Sequence, residues 1–338
     1  MNANREYAAV DIFKMVCAIL VMLIHTKPFE NVFWIDAGIG MVTRFAVPFF
    51  FTVSGYFLFK TARRVPSKKW MIVGRYLLRL IRFYAIWYVV FRLVDGLLSG
   101  SFQSFGYYIK HFFFTSDGSP LWFMNALIWA VIIVSVLTSC LRTKVVFCMG
   151  IFFLIIGYSV STMLGVSGDT WIVQILKPIT NLIGIQNGLF FAFPYVAMGA
   201  YLSEQNLKED HRKNILGIVL FFVLLGAESL VAVMKLNAPL TFLWLSALPM
   251  TWFVAKLTLT IELPDKPFYY VLRKISTLFY VLHVVVFKIL QKVIVASGIH
   301  DPANLLLTIA TFLITSAVSY LILLLSRKKH MAWLKYAM

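Results

Sequence analysis

The fold this sequence predicts is all-α: a polytopic bundle of about ten transmembrane helices with both termini cytoplasmic. Three observations predict it. Of 338 residues, 61% are hydrophobic and only 13% charged, and the mean hydropathy of +0.84 lies far outside the range of a soluble domain. The apolar residues gather into runs of roughly the 17–25 residues that a bilayer core demands. The basic residues concentrate in alternate connections between those runs, as the positive-inside rule requires.

In chain order the expected spans are 8–26, 38–59, 76–97, 120–140, 145–164, 187–203, 214–234, 238–257, 275–296 and 303–326. The first resembles a signal peptide in length, but Asp11 and Lys14 interrupt it and no small-x-small cleavage site follows His25. The second carries Pro48 and then Ser54-Gly55, expected to give a kink and a small, polar break. Between the fifth and sixth spans, 165–186 contains an apolar stretch around Trp171–Leu176 that reads as re-entrant or amphipathic. The loop 98–119, with Lys110, His111 and Asp117, reads as a connector in preference to a lid.

One set of loops holds Lys60, Arg63, Arg64, Lys68, Lys69, Arg75, Arg142, Lys144, Lys208, Arg212, Lys213, Lys256, Lys266, Arg273, Lys274 and the basic tail from Arg327. The opposite set carries only Lys27, Lys110, Lys177 and Lys235. The first set is therefore expected in the cytoplasm, which makes the number of spans even. A net charge of +17 would suit nucleic acid, but its placement between apolar runs assigns it to topology instead. Cys17, Cys140 and Cys148 have no metal-ligand spacing and are expected to be reduced or buried. One transmembrane domain over 1–338, with no fused soluble domain, is expected.

Ionisable groups within membrane segments are costly to place and so mark function by default. Lys14 and His25 lie eleven residues apart on the first span, a net rotation of only about 20° and an axial separation of about 16 Å. Asp11 joins the same stripe, and an ion pair with Lys14 at i, i+3 is the ordinary structural explanation for both. Arg79 and Arg82 form Arg-x-x-Arg at the inner end of the third span, placed to address one anion from one helix face. An outer group comprises Arg44, Arg92, Asp95, Asn125 and Glu228, whose shared depth with His25 implies a watered polar cavity. His283 sits near mid-membrane, where a satisfied core histidine and a site residue are equally good readings. Lys288 and Lys292 are expected to snorkel to the interface.

Taken together these positions resemble the acyltransferase-3 family of integral membrane O-acyltransferases, over nearly the whole chain. Lys14-x10-His25 is similar to that family's Arg/Lys-x10-His signature. Pro48-Phe49-Phe50-Phe51-Thr52-Val53-Ser54-Gly55-Tyr56 is similar to its second-helix segment, and Arg79-Leu80-Ile81-Arg82 to its Arg-x-x-Arg. Pro120-Leu121-Trp122-Phe123-Met124-Asn125, Phe193-Pro194-Tyr195-Val196-Ala197-Met198-Gly199-Ala200 and Ile275-Ser276-Thr277-Leu278-Phe279-Tyr280-Val281-Leu282-His283 match later segments. Two departures narrow the resemblance. The Glu that many polysaccharide-modifying members carry soon after the fourth-helix Trp is absent, and Arg44-x-x-Val47-Pro48-Phe49-Phe50 with Asn187-Gly188-Leu189-Phe190 resembles the subgroup that includes the membrane part of membrane-bound serine racemases.

The resemblance implies transfer of an acyl group, acetyl in the first instance, from cytoplasmic acyl-CoA to a hydroxyl of a cell-envelope sugar or related acceptor. His25 would be general base or acyl carrier, assisted by Asp11 and Arg44. Lys14, Arg79 and Arg82 would hold the phosphates of CoA, and Ser54, Trp122, Asn125, Glu228 and His283 would line the acceptor site. Arg44 or Asn125 would stabilise the oxyanion. The expected partners are the lipid bilayer of the plasma membrane, acyl-CoA as a co-substrate and the hydroxyl acceptor. No permanently bound cofactor, metal or nucleic acid is expected, and an oligomer is compatible with the sequence. The alternative is a transporter of a small polar solute such as serine, which would need a midplane site and two gated states.

Overall fold

In the computed structural model, residues 7–114, 120–166, 170–236, 244–264 and 266–337 are described. Asp117, the side chain of Lys235 and the first residues of the eighth expected span lie outside them. The described residues form thirteen α-helices: α1 (Ala8–Thr26), α2 (Phe33–Thr43), α3 (Ala46–Arg64), α4 (Lys69–Ser99), α5 (Phe105–Phe113), α6 (Trp122–Cys140), α7 (Thr143–Val166), α8 (Trp171–Ile183), α9 (Phe193–Leu202), α10 (His211–Leu236), α11 (Ala247–Thr260), α12 (Pro267–Ala296) and α13 (Leu305–Leu325). A π-helical segment, Gly188–Ala192, leads into α9.

Seven helical stretches among the described residues are long and apolar enough to cross a membrane: Ala8–Thr26, Phe33–Arg64, Trp122–Cys140, Thr143–Leu164, His211–Val231, Pro267–Ala296 and Leu305–Leu325. The three further expected spans coincide with α4, with the shorter apolar stretch Gly188–Leu202 and with α11. Arg75, Arg79, Arg82, Arg92 and Asp95 dilute the apolar character of α4, and α11 is short.

The chain divides into two compact units, 1–46 with 85–103 and 258–338, and 47–84 with 104–257. In the first, α1 packs against α2, α12 and α13, and α12 against α13. Phe29 N–H donates to the Ala303 carbonyl at 2.7 Å, tying the α1–α2 connection to the turn before α13. Lys27 and Phe29 adopt positive φ, 45° and 63°, so this connection turns tightly.

In the second unit α9 is the core, with every residue from Phe193 to Ala200 buried. It is apolar on all sides, which is the pattern of a helix surrounded by others. Two glycines allow its approach to α3. A Cβ on Gly199 would collide with the Thr52 carbonyl oxygen and come within 2.6 Å of Tyr56 N, and one on Gly55 would overlap the Val196 carbonyl, 3.1 Å from its carbon. Ser54-Gly55 therefore marks close helix packing. The chain enters the π segment through Asn187, whose Oδ1 accepts from the Leu189 and Phe190 amides at 2.8 and 2.7 Å. Gly188 gives room to Trp129 and the Ala126 carbonyl of α6.

Two local expectations are corrected. The break in the second expected span falls at Arg44-Phe45, and α3 runs unbroken through Ser54-Gly55. Pro48 lies in the first turn of α3, where its missing N–H would have had no intrahelical acceptor, so it produces no kink there. Residues 171–183 form a helix with Pro178 inside it. The loop 98–119 contains α5, whose C-terminal carbonyls are engaged by α6. The three thiols are free, Cys17 buried and the other two exposed.

Candidate functional site

The expected helix carrying Lys14 and His25 is present as one unbroken element, α1, so their eleven-residue spacing does place them on one face about 16 Å apart. Phe45 stacks on Phe13 at 5.9 Å between ring centroids, which registers the α2–α3 break on the stretch of α1 beside Lys14. The Arg44 guanidinium turns back along α2, an Nη lying 3.9 Å from where a Cβ on Gly40 would stand.

Asp11 is held by a residue on another helix. Arg273 of α12 donates from Nε to both carboxylate oxygens at 3.0 Å and from an Nη to Oδ2 at 2.7 Å. The carboxylate is nearly sealed, at 3% side-chain exposure, while the arginine is 39% exposed. Bidentate geometry of this kind gives orientation as well as energy, so the pair fixes α12 against α1 at one level.

Fourteen residues further along α1, His25 meets His283 of α12. Their ring centroids are 5.3 Å apart with planes at 45°. His25 is half-buried. His283 is fully buried between Phe279 and Tyr280, with its Nδ1 3.1 Å from the Phe279 carbonyl oxygen. Five residues on, Lys288 is ion-paired with Asp95, which also meets Arg92 at 3.4 Å. Lys292 donates to the Leu98 carbonyl. Both lysines thus bind α4, Lys288 through the Asp95 carboxylate and Lys292 through a carbonyl at the helix C-terminus. Lys288 is also within electrostatic reach of His25.

The remaining expected site residues belong to the second unit. Arg79 and Arg82 are exposed on the N-terminal half of α4, and the Arg79 guanidinium lies over the Tyr76 ring at 5.3 Å. Trp122 packs in an aromatic cluster with Phe51 at 6.4 Å and Phe191 at 5.7 Å. Asn125 donates to the Phe112 and Phe113 carbonyls at 2.8 and 3.2 Å, closing the end of α5. Glu228 accepts from the backbone amides of Leu245 and Ser246 at 2.9 and 3.0 Å, immediately before α11. A carboxylate there satisfies orphan amides and complements the helix dipole. Ser54 is half-buried on α3.

So the structure brings together Asp11 with Arg273 and His25 with His283, both between α1 and α12. Arg273 and Lys288 escaped sequence reasoning. Arg273 stands in a series of loop cations, and the only signal pointing to it is that a carboxylate as deep as Asp11 needs a cation. No group of three His, Cys, Asp or Glu able to hold a metal ion occurs among the described residues.

Seven helical stretches long and apolar enough to cross a membrane, with His25 and His283 meeting between α1 and α12, make this a multi-pass membrane protein. More particularly, the family model described as an acyltransferase domain, acyltransferase-3, matches residues 7–324, and the chain belongs to that family. It is 26% identical over 242 residues to an amino-acid racemase of Enterococcus faecalis, covering 68% of this chain and 32% of that protein. It is also 26% identical to a serine/alanine racemase of Enterococcus gallinarum, covering 65% and 32%. The matched part is thus about a third of the length of these relatives. No solved structure matches significantly.

Proposed function

We propose that the chain moves an acyl group, acetyl in the simplest case, from cytoplasmic acyl-CoA to a hydroxyl of a cell-envelope sugar or related acceptor, with His25 as general base or transient acyl carrier. The observation that carries this reading is His25 itself: a half-buried imidazole with no hydrogen bond among the described residues, on the same face of an unbroken α1 as Lys14. An alcohol is a weak nucleophile at neutral pH, and a positioned imidazole contributes typically about 10²–10⁴-fold by removing its proton. The roughly 16 Å between Lys14 and His25 is comparable to an extended pantetheine arm, so a nucleotide held at the Lys14 level would present its thioester at His25.

Arg79 and Arg82 suit the phosphates of CoA, since two guanidinium groups at i, i+3 address one anion. Ten spans, cytoplasmic termini and plasma-membrane residence complete the proposal, with the basic loops on the side where acyl-CoA is made. Asn125 and Glu228 are engaged with backbone in this state, so a part in acceptor binding requires them to exchange those partners. The racemase names of the matched proteins favour a second reading, in which this membrane part handles a small amino acid such as serine.

Protein reconstituted in vesicles and given labelled acetyl-CoA should transfer label to an added hydroxyl acceptor or to His25. Serine counterflow without dependence on CoA would overturn the enzyme reading.

A further inference from the structure

We propose that His283 is a positioning residue for His25, the buried ring deciding which nitrogen of the outer ring is free to accept a proton. The inference rests on the acyltransferase reading of His25. It begins with the hydrogen bond between His283 Nδ1 and the Phe279 carbonyl oxygen, 3.1 Å long. A carbonyl only accepts, so Nδ1 carries the proton and Nε2 of the neutral ring is left as an acceptor. Nε2 is buried and has no hydrogen-bond partner among the described residues. A buried acceptor without a donor is costly and calls for an explanation.

The neighbouring ring supplies one. His25 lies 5.3 Å away between centroids, a separation at which two ring nitrogens turned towards each other come into hydrogen-bond range. Catalytic hydrogen bonds are commonly loose before substrate binds. The two helices that bear the rings are pinned by the Asp11–Arg273 pair, so a turn of the His25 side chain is all that closing the contact requires. Among the ionisable groups near the pair are Tyr280, whose ring lies 6.1 Å from that of His283, and Lys288, which is paired with Asp95.

With its N–H directed at His283 Nε2, His25 keeps an unprotonated nitrogen on the opposite side of the ring. In the transfer, the acceptor O–H proton passes to that nitrogen while oxygen bonds to the acyl carbon. The C–S bond then breaks and His25 returns the proton to the thiolate, which leaves as CoA thiol. Throughout, the imidazolium is stabilised by its hydrogen bond to His283. This is the part an orienting carboxylate plays towards a catalytic imidazole in serine hydrolases, taken here by a neutral ring.

The test uses the full-length protein with ¹⁵N-labelled histidine, the His25 signals being assigned by their loss in His25→Ala. Wild type should show His25 in a single neutral tautomer, His283→Phe a mixture, and His283→Gln, whose amide oxygen takes the place of Nε2, the wild-type tautomer. In parallel, release of CoA thiol from acetyl-CoA is followed with water as acceptor. His283→Phe should lower kcat by about 10–100-fold with KM for acetyl-CoA within twofold of wild type, and His283→Gln should recover part of the loss. Two exchanging tautomers in wild type, or a His25 tautomer indifferent to His283→Phe, would overturn the pair. If His25→Ala abolishes thiol release while His283→Phe leaves it intact, the pair fails and the acyltransferase reading stands. Should wild type release no thiol and bind no acetyl-CoA, that reading fails, and the proposed role of His283 in acyl transfer falls with it.

Discussion

Removing either partner of the Asp11–Arg273 pair should destabilise the protein, but unequally, and the inequality can be worked from exposure. Arg273→Ala leaves a carboxylate whose side chain is 3% exposed without its three charge-assisted hydrogen bonds. Breaking a buried pair this way costs about 3–5 kcal/mol, and the low end applies because the arginine is itself 39% exposed. Asp11→Ala removes one partner of a guanidinium that is already partly exposed and can turn to water, so its cost is that of lost hydrogen bonds, about 1–2 kcal/mol. Arg273→Ala should therefore be the worse variant by about 1–2 kcal/mol, and the double variant less damaging than the sum. Equilibrium unfolding in mixed micelles, followed by helical signal, measures all three. Equal costs, the reverse order, or a coupling no larger than the roughly 0.6 kcal/mol typical of interhelical hydrogen bonds in bilayers would refute the reasoning.

Three further outcomes follow from the same physical reading. Gly199→Ala should reduce folded yield severely, because the atoms its Cβ meets are backbone of α3 and cannot move aside, whereas Gly74→Ala, with nothing within 4 Å, should be neutral or stabilising by up to about 1 kcal/mol; size-exclusion profiles after detergent extraction separate the two. Glu228→Ala should lower the melting temperature by removing the acceptor for two amides ahead of α11, a loss of about 1–2 kcal/mol, and Glu228→Gln should restore part of it. In the connection after α1, the Lys27 ammonium donates to Glu30 and holds its carboxyl below the ordinary 4.5. A lowered carboxyl contributes stability above its unfolded value and loses it as pH falls through the folded one. The small advantage of wild type over Glu30→Gln should accordingly be constant above about pH 5 and vanish in more acid solution, as thermal scans against pH would show.

What could be read from the sequence was what helix geometry makes local. The face shared by Lys14 and His25 follows from their spacing alone, and seven of the expected spans coincide with helical stretches long and apolar enough to cross a membrane, because apolar runs of that length have few other solutions there. The pairings that give the site its form are not local. Asp11 and Arg273 are 262 residues apart, and no periodicity on α1 selects a partner on α12. By spacing the i, i+3 neighbour Lys14 is the natural candidate for Asp11, and tertiary packing supplies a bidentate guanidinium from α12. Lys288 shows the same limit, since its partner Asp95 lies 193 residues away in the chain. At Pro48 what matters is position within the helix: a proline kinks an interior turn but is tolerated in the first, and only the placement of the break at Arg44-Phe45 distinguishes the two. Gly55 and Gly199 were visible as small residues in an apolar helix, but that they face each other's helices required the packing itself.

The most direct test of the central claim is thiol release from acetyl-CoA by purified wild-type and His25→Ala protein, with acetyl-CoA binding measured on both. His25→Ala should bind acetyl-CoA as wild type does and lose turnover by at least about 10²-fold. Turnover preserved in His25→Ala would contradict it.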